Sequence, residues 1–110
     1  MAHIVIIGAG LGGMPMAYEM QELLRAGDRV TVVSNAPTFH FVPSNPWVAV
    51  NWRTRDDIEF PVAEYLGRKG IGFTAAGAKR VHPDRNQVEL GDGTRLDYDF
   101  LVIATGPRLA

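Results

Sequence analysis

The chain has 110 residues, 46% of them apolar and 21% charged, which suits one globular domain with a modest core. A formal net charge of −1 and a pI near 6.3 supply no basic footprint for nucleic acid or an anionic lipid surface. The chain contains no cysteine, so disulfides, thiolate metal ligation and a cysteine nucleophile are excluded within it.

The first segment, His3–Gly8 (HIVIIG), is a β-branched run without alternation, the pattern of a strand buried on both faces. The apolar stretch 4–20 has no basic residues before it and is broken by glycines, Pro15 and Glu19. It is therefore expected to be neither a signal peptide nor a membrane span. After the glycines comes MPMAYEMQELLRAG, in which Met16, Met20, Leu23 and Leu24 fall near helical spacing. Pro15 fits a helix only in its first turn, which predicts a helix over 12–26 with Gly27 as its stop. Residues 29–34 read as a second buried strand, completing a βαβ unit.

Residues 35–57 hold three of the seven prolines and both tryptophans, and are expected to be irregular. A second helix is predicted over 58–69, with Pro61 near its start and Gly70 as its stop, and 71–74 returns as a parallel strand. Three short extended stretches follow, at 79–82, 87–90 and 94–98. The turn signals PDRN and GDG separate them, which predicts an antiparallel meander. Residues 100–105 (FLVIAT) are another continuous apolar run and the last parallel strand. His3, His40 and His82 show no ligand spacing and are expected to be surface or loop imidazoles, so no metal site is predicted.

The chemistry begins at Gly8-Ala9-Gly10-Leu11-Gly12-Gly13, which matches G-x-G-x-x-G through Gly8, Gly10 and Gly13. The motif is weak alone, but here it follows a buried strand and opens an amphipathic helix. Gly8 makes the tight turn, Gly10 lets the backbone approach a pyrophosphate, and Gly13 packs helix on strand. The helix N-terminus offers free N–H groups to the phosphates. An acid that grips the ribose usually follows about twenty residues later. That place holds Ser34 and Asn35, whose side chains can still accept ribose hydroxyl protons through weaker neutral bonds. No cation stands nearby for a 2′-phosphate, which disfavours NADP.

The strand ending in Ala104-Thr105-Gly106-Pro107 after a meander resembles the second signature of FAD-dependent reductases built from two dinucleotide-binding domains. With FHFVPSNPWVAVNW (39–52), GAGLGGMPMAYEM and DDIEFP, the whole chain in order resembles the N-terminal part of the sulfide:quinone oxidoreductase family. The resemblance implies an α/β fold: a Rossmann-like βαβ FAD-binding half-domain with a parallel sheet and a small antiparallel meander. Residues 1–110 would be the N-terminal segment of that FAD-binding domain. Residues Gly8–Gly13 would hold the pyrophosphate, Ser34 and Asn35 the ribose, and Gly77 and Ala78 the adenine side. Val42 and Pro43 would approach the flavin, with Thr105 and Gly106 along the cofactor.

In that family sulfide sulfur is bonded to a cysteine sulfur as a persulfide, and the two electrons released pass through FAD to a membrane quinone. The resemblance thus implies sulfide and quinone as substrates, with catalytic cysteines outside this chain and no catalytic residue within it. It implies a peripheral membrane protein on the cytoplasmic face, with membrane contact made by other segments, and self-association of this segment alone. Type II NADH:quinone reductase and the flavin subunit of flavocytochrome c sulfide dehydrogenase share the outer motifs and stand as alternatives. A free-standing, non-catalytic nucleotide-binding module is a third reading.

Overall fold

The structure, a computed structural model, describes residues 2–10, 12–40, 49–51 and 59–105. Its centre is a parallel sheet of four strands in the order β5-β2-β1-β9, with β1 (His3–Ile7), β2 (Arg29–Val33), β5 (Gly72–Thr74) and β9 (Phe100–Ile103). The register sets Ile6 beside both Val32 and Val102, so apolar residues run across the sheet in continuous rows. The meander is also present, as β6 (Ala78–His82), β7 (Gln87–Leu90) and β8 (Arg95–Asp97), antiparallel throughout.

Both faces of the sheet are covered, which is why its inner strands do not alternate in sequence. Ile4, Ile6, Val30 and Val32 point to one face and pack with Met14 and Ala17 of α1 (Gly13–Leu23) and with Val62 and Leu66 of α2 (Val62–Arg68). Val5, Ile7 and Val33 point to the other and pack with Val88 and Leu90 of the meander. The result is three layers: helices, sheet, meander.

Several boundaries differ from the sequence reading. Helix α1 ends at Leu23, and Leu24 is already extended, so Gly27 does not cap it. With φ +89°, Gly27 instead serves a turn closed by the Asp28 N–H donating to Arg25 O (3.1 Å). The buried positions of α1 are Gly13, Met14 and Ala17, while Met16 and Leu23 face outward. Residues 38–40, expected to be irregular, form β3 (Thr38–His40), which pairs antiparallel with β4 (Glu59–Pro61). That pairing takes the residues expected to open the second helix, so α2 starts only at Val62. Its Val62 N–H donates to Pro37 O (2.9 Å). Its C-terminus matches expectation: Gly70 (φ +75°) donates to Gly67 O and Ile71 to Leu66 O, the two bonds of a Schellman cap.

Of the histidines expected to be surface or loop imidazoles, His3 departs from that reading. His40 lies in β3 and His82 in β6, where its side chain is half-buried. His3 is buried in β1, its Nε2 2.7 Å from Thr31 Oγ1 and its Nδ1 without a hydrogen-bond partner. The aromatic loop 39–52 and the DDIEFP stretch lie mostly outside the described residues.

Candidate functional site

Three parallel strands end together, at Ile7, Val33 and Ile103, and the chain beyond each end lines one cleft of about 380 Å³. Open α/β sheets bind their ligands at this carboxyl edge. The cleft brings together Gly8, Ala9 and Gly10 from the first strand's exit and Ser34 and Asn35 from the second's. Gly77 and Ala78 from the start of the meander and Thr105 beyond β9 complete it. These residues come from four distant parts of the sequence. Ile7, Val33 and Ala104 also line the cleft, and none of them was assigned to the ligand from sequence. Ile7 and Val33 are the last residues of β1 and β2 and Ala104 follows the end of β9, so the carboxyl-edge rule would have found them. Leu11, Val42, Pro43 and Gly106 lie outside the described residues.

The glycines divide by what surrounds them. Gly8 has φ +113°, and a Cβ there would lie 2.2 Å from Ala104 O. Its N–H donates to Val33 O (2.8 Å) and the neighbouring Ile7 O accepts from Ala104 N–H (2.8 Å), so the turn is tied to both adjacent strands. A Cβ on Gly13 would overlap Gly8 O at 1.8 Å, so helix α1 seats directly on the turn. Gly13 is therefore a packing glycine behind the cleft, while Gly12 is exposed and does not line it. Gly10 is different: it has no positive φ and nothing within 4 Å of the place a Cβ would occupy. Neither conformation nor the surrounding protein requires glycine there. A bare α-carbon facing open cleft is what a ligand approaching the backbone closely would need.

At the other end, the Ser34 N–H donates to Thr74 O (3.0 Å), and Ser34 Oγ accepts from Ala36 N–H (3.2 Å). That local bond leaves the hydroxyl hydrogen and one lone pair of Ser34 for a ligand. Asn35 packs against Gly77 (φ +73°), where a Cβ would come within 3.3 Å of the Asn35 Cβ. None of the described residues lining the cleft is charged. Its polarity comes from backbone amides, the hydroxyls of Ser34 and Thr105 and the carboxamide of Asn35, which suits sugar hydroxyls and a pyrophosphate held by N–H groups.

A second cleft, about 500 Å³, lies at the opposite edge of the sheet, lined by Ala2, His3, Gly27, Arg29, Asp97, Tyr98 and Asp99. Burial holds the His3 imidazole below its usual pKa, with the Arg29 guanidinium acting in the same direction against Asp97 and Asp99. Among the described residues, no cluster of His, Asp and Glu could hold a metal ion.

The geometry agrees with what other proteins show. The profile of the family described as pyridine nucleotide-disulphide oxidoreductase matches residues 2–110. The sulfide-quinone reductase of Aquifex aeolicus is 40% identical over 97% of this chain, which spans 25% of that protein. The mitochondrial sulfide:quinone oxidoreductase of Dictyostelium discoideum is 27% identical over 96% of the chain, which spans 23% of it. The crystal structure of the Aquifex aeolicus sulfide:quinone oxidoreductase superposes with a TM-score of 0.93 at 39% identity. That match covers 100% of this chain and 25% of the other. The chain thus spans about a quarter of the length of the relatives it matches.

Proposed function

This chain belongs to the pyridine nucleotide-disulphide oxidoreductase family, and from that premise we propose that it is the N-terminal FAD-binding segment of a sulfide:quinone oxidoreductase. The observation that carries the reading is the likeness to the Aquifex aeolicus enzyme in both sequence and backbone along nearly the whole chain. Gly8, Ala9, Gly10 and Leu11 receive the FAD pyrophosphate, with Gly12 and Gly13 starting the helix behind it. Ser34 and Asn35 take the adenosine ribose, Gly77 and Ala78 the adenine side, and Thr105 and Gly106 run along the cofactor. Val42 and Pro43 approach the flavin. The bare Gly10 and the uncharged lining fit this ligand, since neutral acceptors can hold the ribose hydroxyls and backbone N–H groups the pyrophosphate.

When bound, FAD supplies a two-electron carrier between sulfide and quinone. The residues of this chain bind and orient it. They contribute no cysteine sulfur, because the chain has no cysteine, so the sulfur that bonds to sulfide as FAD takes up two electrons stands elsewhere in the protein. A quinone acceptor requires the whole protein to work at a membrane surface, and the cytoplasmic face is part of the same proposal. Among the described residues no helix is long and apolar enough to cross a membrane, so contact is made from the surface or by other segments.

The test is purification of the protein from its complete open reading frame, followed by quinone reduction assays with sulfide and with NADH as donors. Yellow protein that reduces quinone with sulfide and is inert with NADH is the expected result. Reduction driven by NADH alone would replace this reading with an NADH:quinone reductase.

A further inference from the structure

The meander reaches the cleft through a short chain of peptide hydrogen bonds. Gly91, in the turn after β7, donates its N–H to Gly77 O (3.0 Å), and Gly77 donates its own N–H to Ser34 O (2.8 Å). Ser34 N–H in turn donates to Thr74 O, and Ala76 N–H to Thr74 Oγ1 (3.3 Å), so loop 75–77 is fixed between the end of β2 and the meander turn. Gly91 is the outermost link and does not line the cleft. It is nevertheless sterically demanding. A Cβ there would sit 2.5 Å from Ala76 O, a backbone atom that can move only by displacing the Ala76–Gly77 peptide. Gly77 in turn packs on Asn35, so any such displacement arrives at the residue facing the ribose.

Gly93 lies in the same turn and supplies a contrast. Its φ is +88°, so a side chain there strains the turn, but nothing lies within 4 Å of the place its Cβ would occupy. The two glycines are both needed, for different reasons: Gly93 for the conformation of the turn, Gly91 for its closure on the cleft wall.

We propose that Gly91 is a positioning residue for the adenosine end of the cleft: its missing side chain lets the meander close on the Ala76–Gly77 peptide and hold Asn35 and Ser34 in place. The inference rests on reading the cleft as the FAD site. It assigns the meander a role in binding in addition to its role as a cover for the sheet.

The test uses flavin-free protein from the complete open reading frame, titrated with FAD, with ADP as a probe of the adenosine end, and with FMN, which lacks that end. Gly91→Ala should raise the Kd for FAD and ADP tenfold or more and leave that for FMN unchanged. Gly93→Ala should lower the melting temperature without changing any of the three. The wild-type protein gives a readout that does not depend on the variant folding: the Gly77 and Gly91 amide protons should exchange more slowly when ADP is bound, and that of Gly93 should not. The proposal is overturned if Gly91→Ala binds FAD like wild type, if FAD and FMN weaken alike, or if ADP leaves the Gly91 amide unchanged. Failure of the wild type to bind either FAD or ADP would remove the reading of the cleft itself, and the proposal with it.

Discussion

At the scale of single residues, the glycine turn separates folding from binding. Gly8→Ala places a Cβ at positive φ and against Ala104 O, and Gly13→Ala drives one into Gly8 O. Each should cost about 2–5 kcal/mol of stability, visible as a shifted denaturant midpoint. At Gly10 a Cβ meets nothing within 4 Å among the described residues, so Gly10→Val should leave that midpoint nearly unchanged while abolishing flavin absorbance, because its bulk occupies the place the phosphate approaches. Stoichiometric flavin in purified Gly10→Val would refute the assignment of the cleft. Ser34→Ala should be milder, about 1 kcal/mol of FAD affinity for one neutral hydrogen bond. His3 gives a pH dependence with a definite sign. Burial depresses its folded pKa below the usual 6.5, so the unfolded chain binds the proton more readily. Stability is therefore whole above about pH 6.5 and falls as acid carries the pH below it, until the folded imidazole also titrates. Equilibrium unfolding between pH 7 and pH 5 should show this loss, and His3→Gln should flatten it.

At the scale of elements, α2 shows how glycines of opposite function stand three residues apart. Gly67 lies in the helix with nothing within 4 Å of a Cβ, so Gly67→Ala should stabilise by about 0.5–1 kcal/mol. Gly70 holds the left-handed position of the Schellman cap, so Gly70→Ala should destabilise by about 1–2 kcal/mol. Thermal melts of the two variants should move in opposite directions. The cap also carries the chain directly into β5: Ile71, the first residue past Gly70, is buried against the same cluster as Leu66. Leu66→Ala should therefore cost about 2–5 kcal/mol, since its side chain is fully buried between α2 and the sheet.

At the scale of the whole molecule, β9 is a sheet edge with apolar side chains outside it. Phe100 is 63% and Ile103 66% exposed, although the FLVI run reads as a strand buried on both faces. An unpaired apolar edge invites association with a second copy. The isolated 110-residue polypeptide should therefore self-associate, bind FAD weakly, and show no sulfide:quinone activity. Light scattering with a flavin titration checks this, and Ile103→Lys should shift the distribution toward monomer. A monodisperse monomer with sub-micromolar affinity for FAD would contradict it.

The βαβ unit, the parallel return read at 71–74, the meander and the Gly70 cap were legible in the chain alone, because each is written in local terms: apolar period, turn residues, glycine position. The family resemblance assigned Gly8, Gly10, Ser34, Asn35, Gly77 and Thr105 to one ligand, and the fold brings them to one cleft. Features that depend on neighbours distant along the chain emerged only with the fold. Residues 38–40 became a strand because 59–61 pair with them, and that pairing delayed α2 to Val62. Met16 and Leu23 turned outward because α1 presents Met14 and Ala17 to the sheet, a rotation its own apolar spacing leaves undetermined. His3 was buried because the meander covers its face of β1. The bare Cα of Gly91 matters for the same reason: its constraint is a carbonyl fifteen residues earlier, which only the folded chain brings within reach.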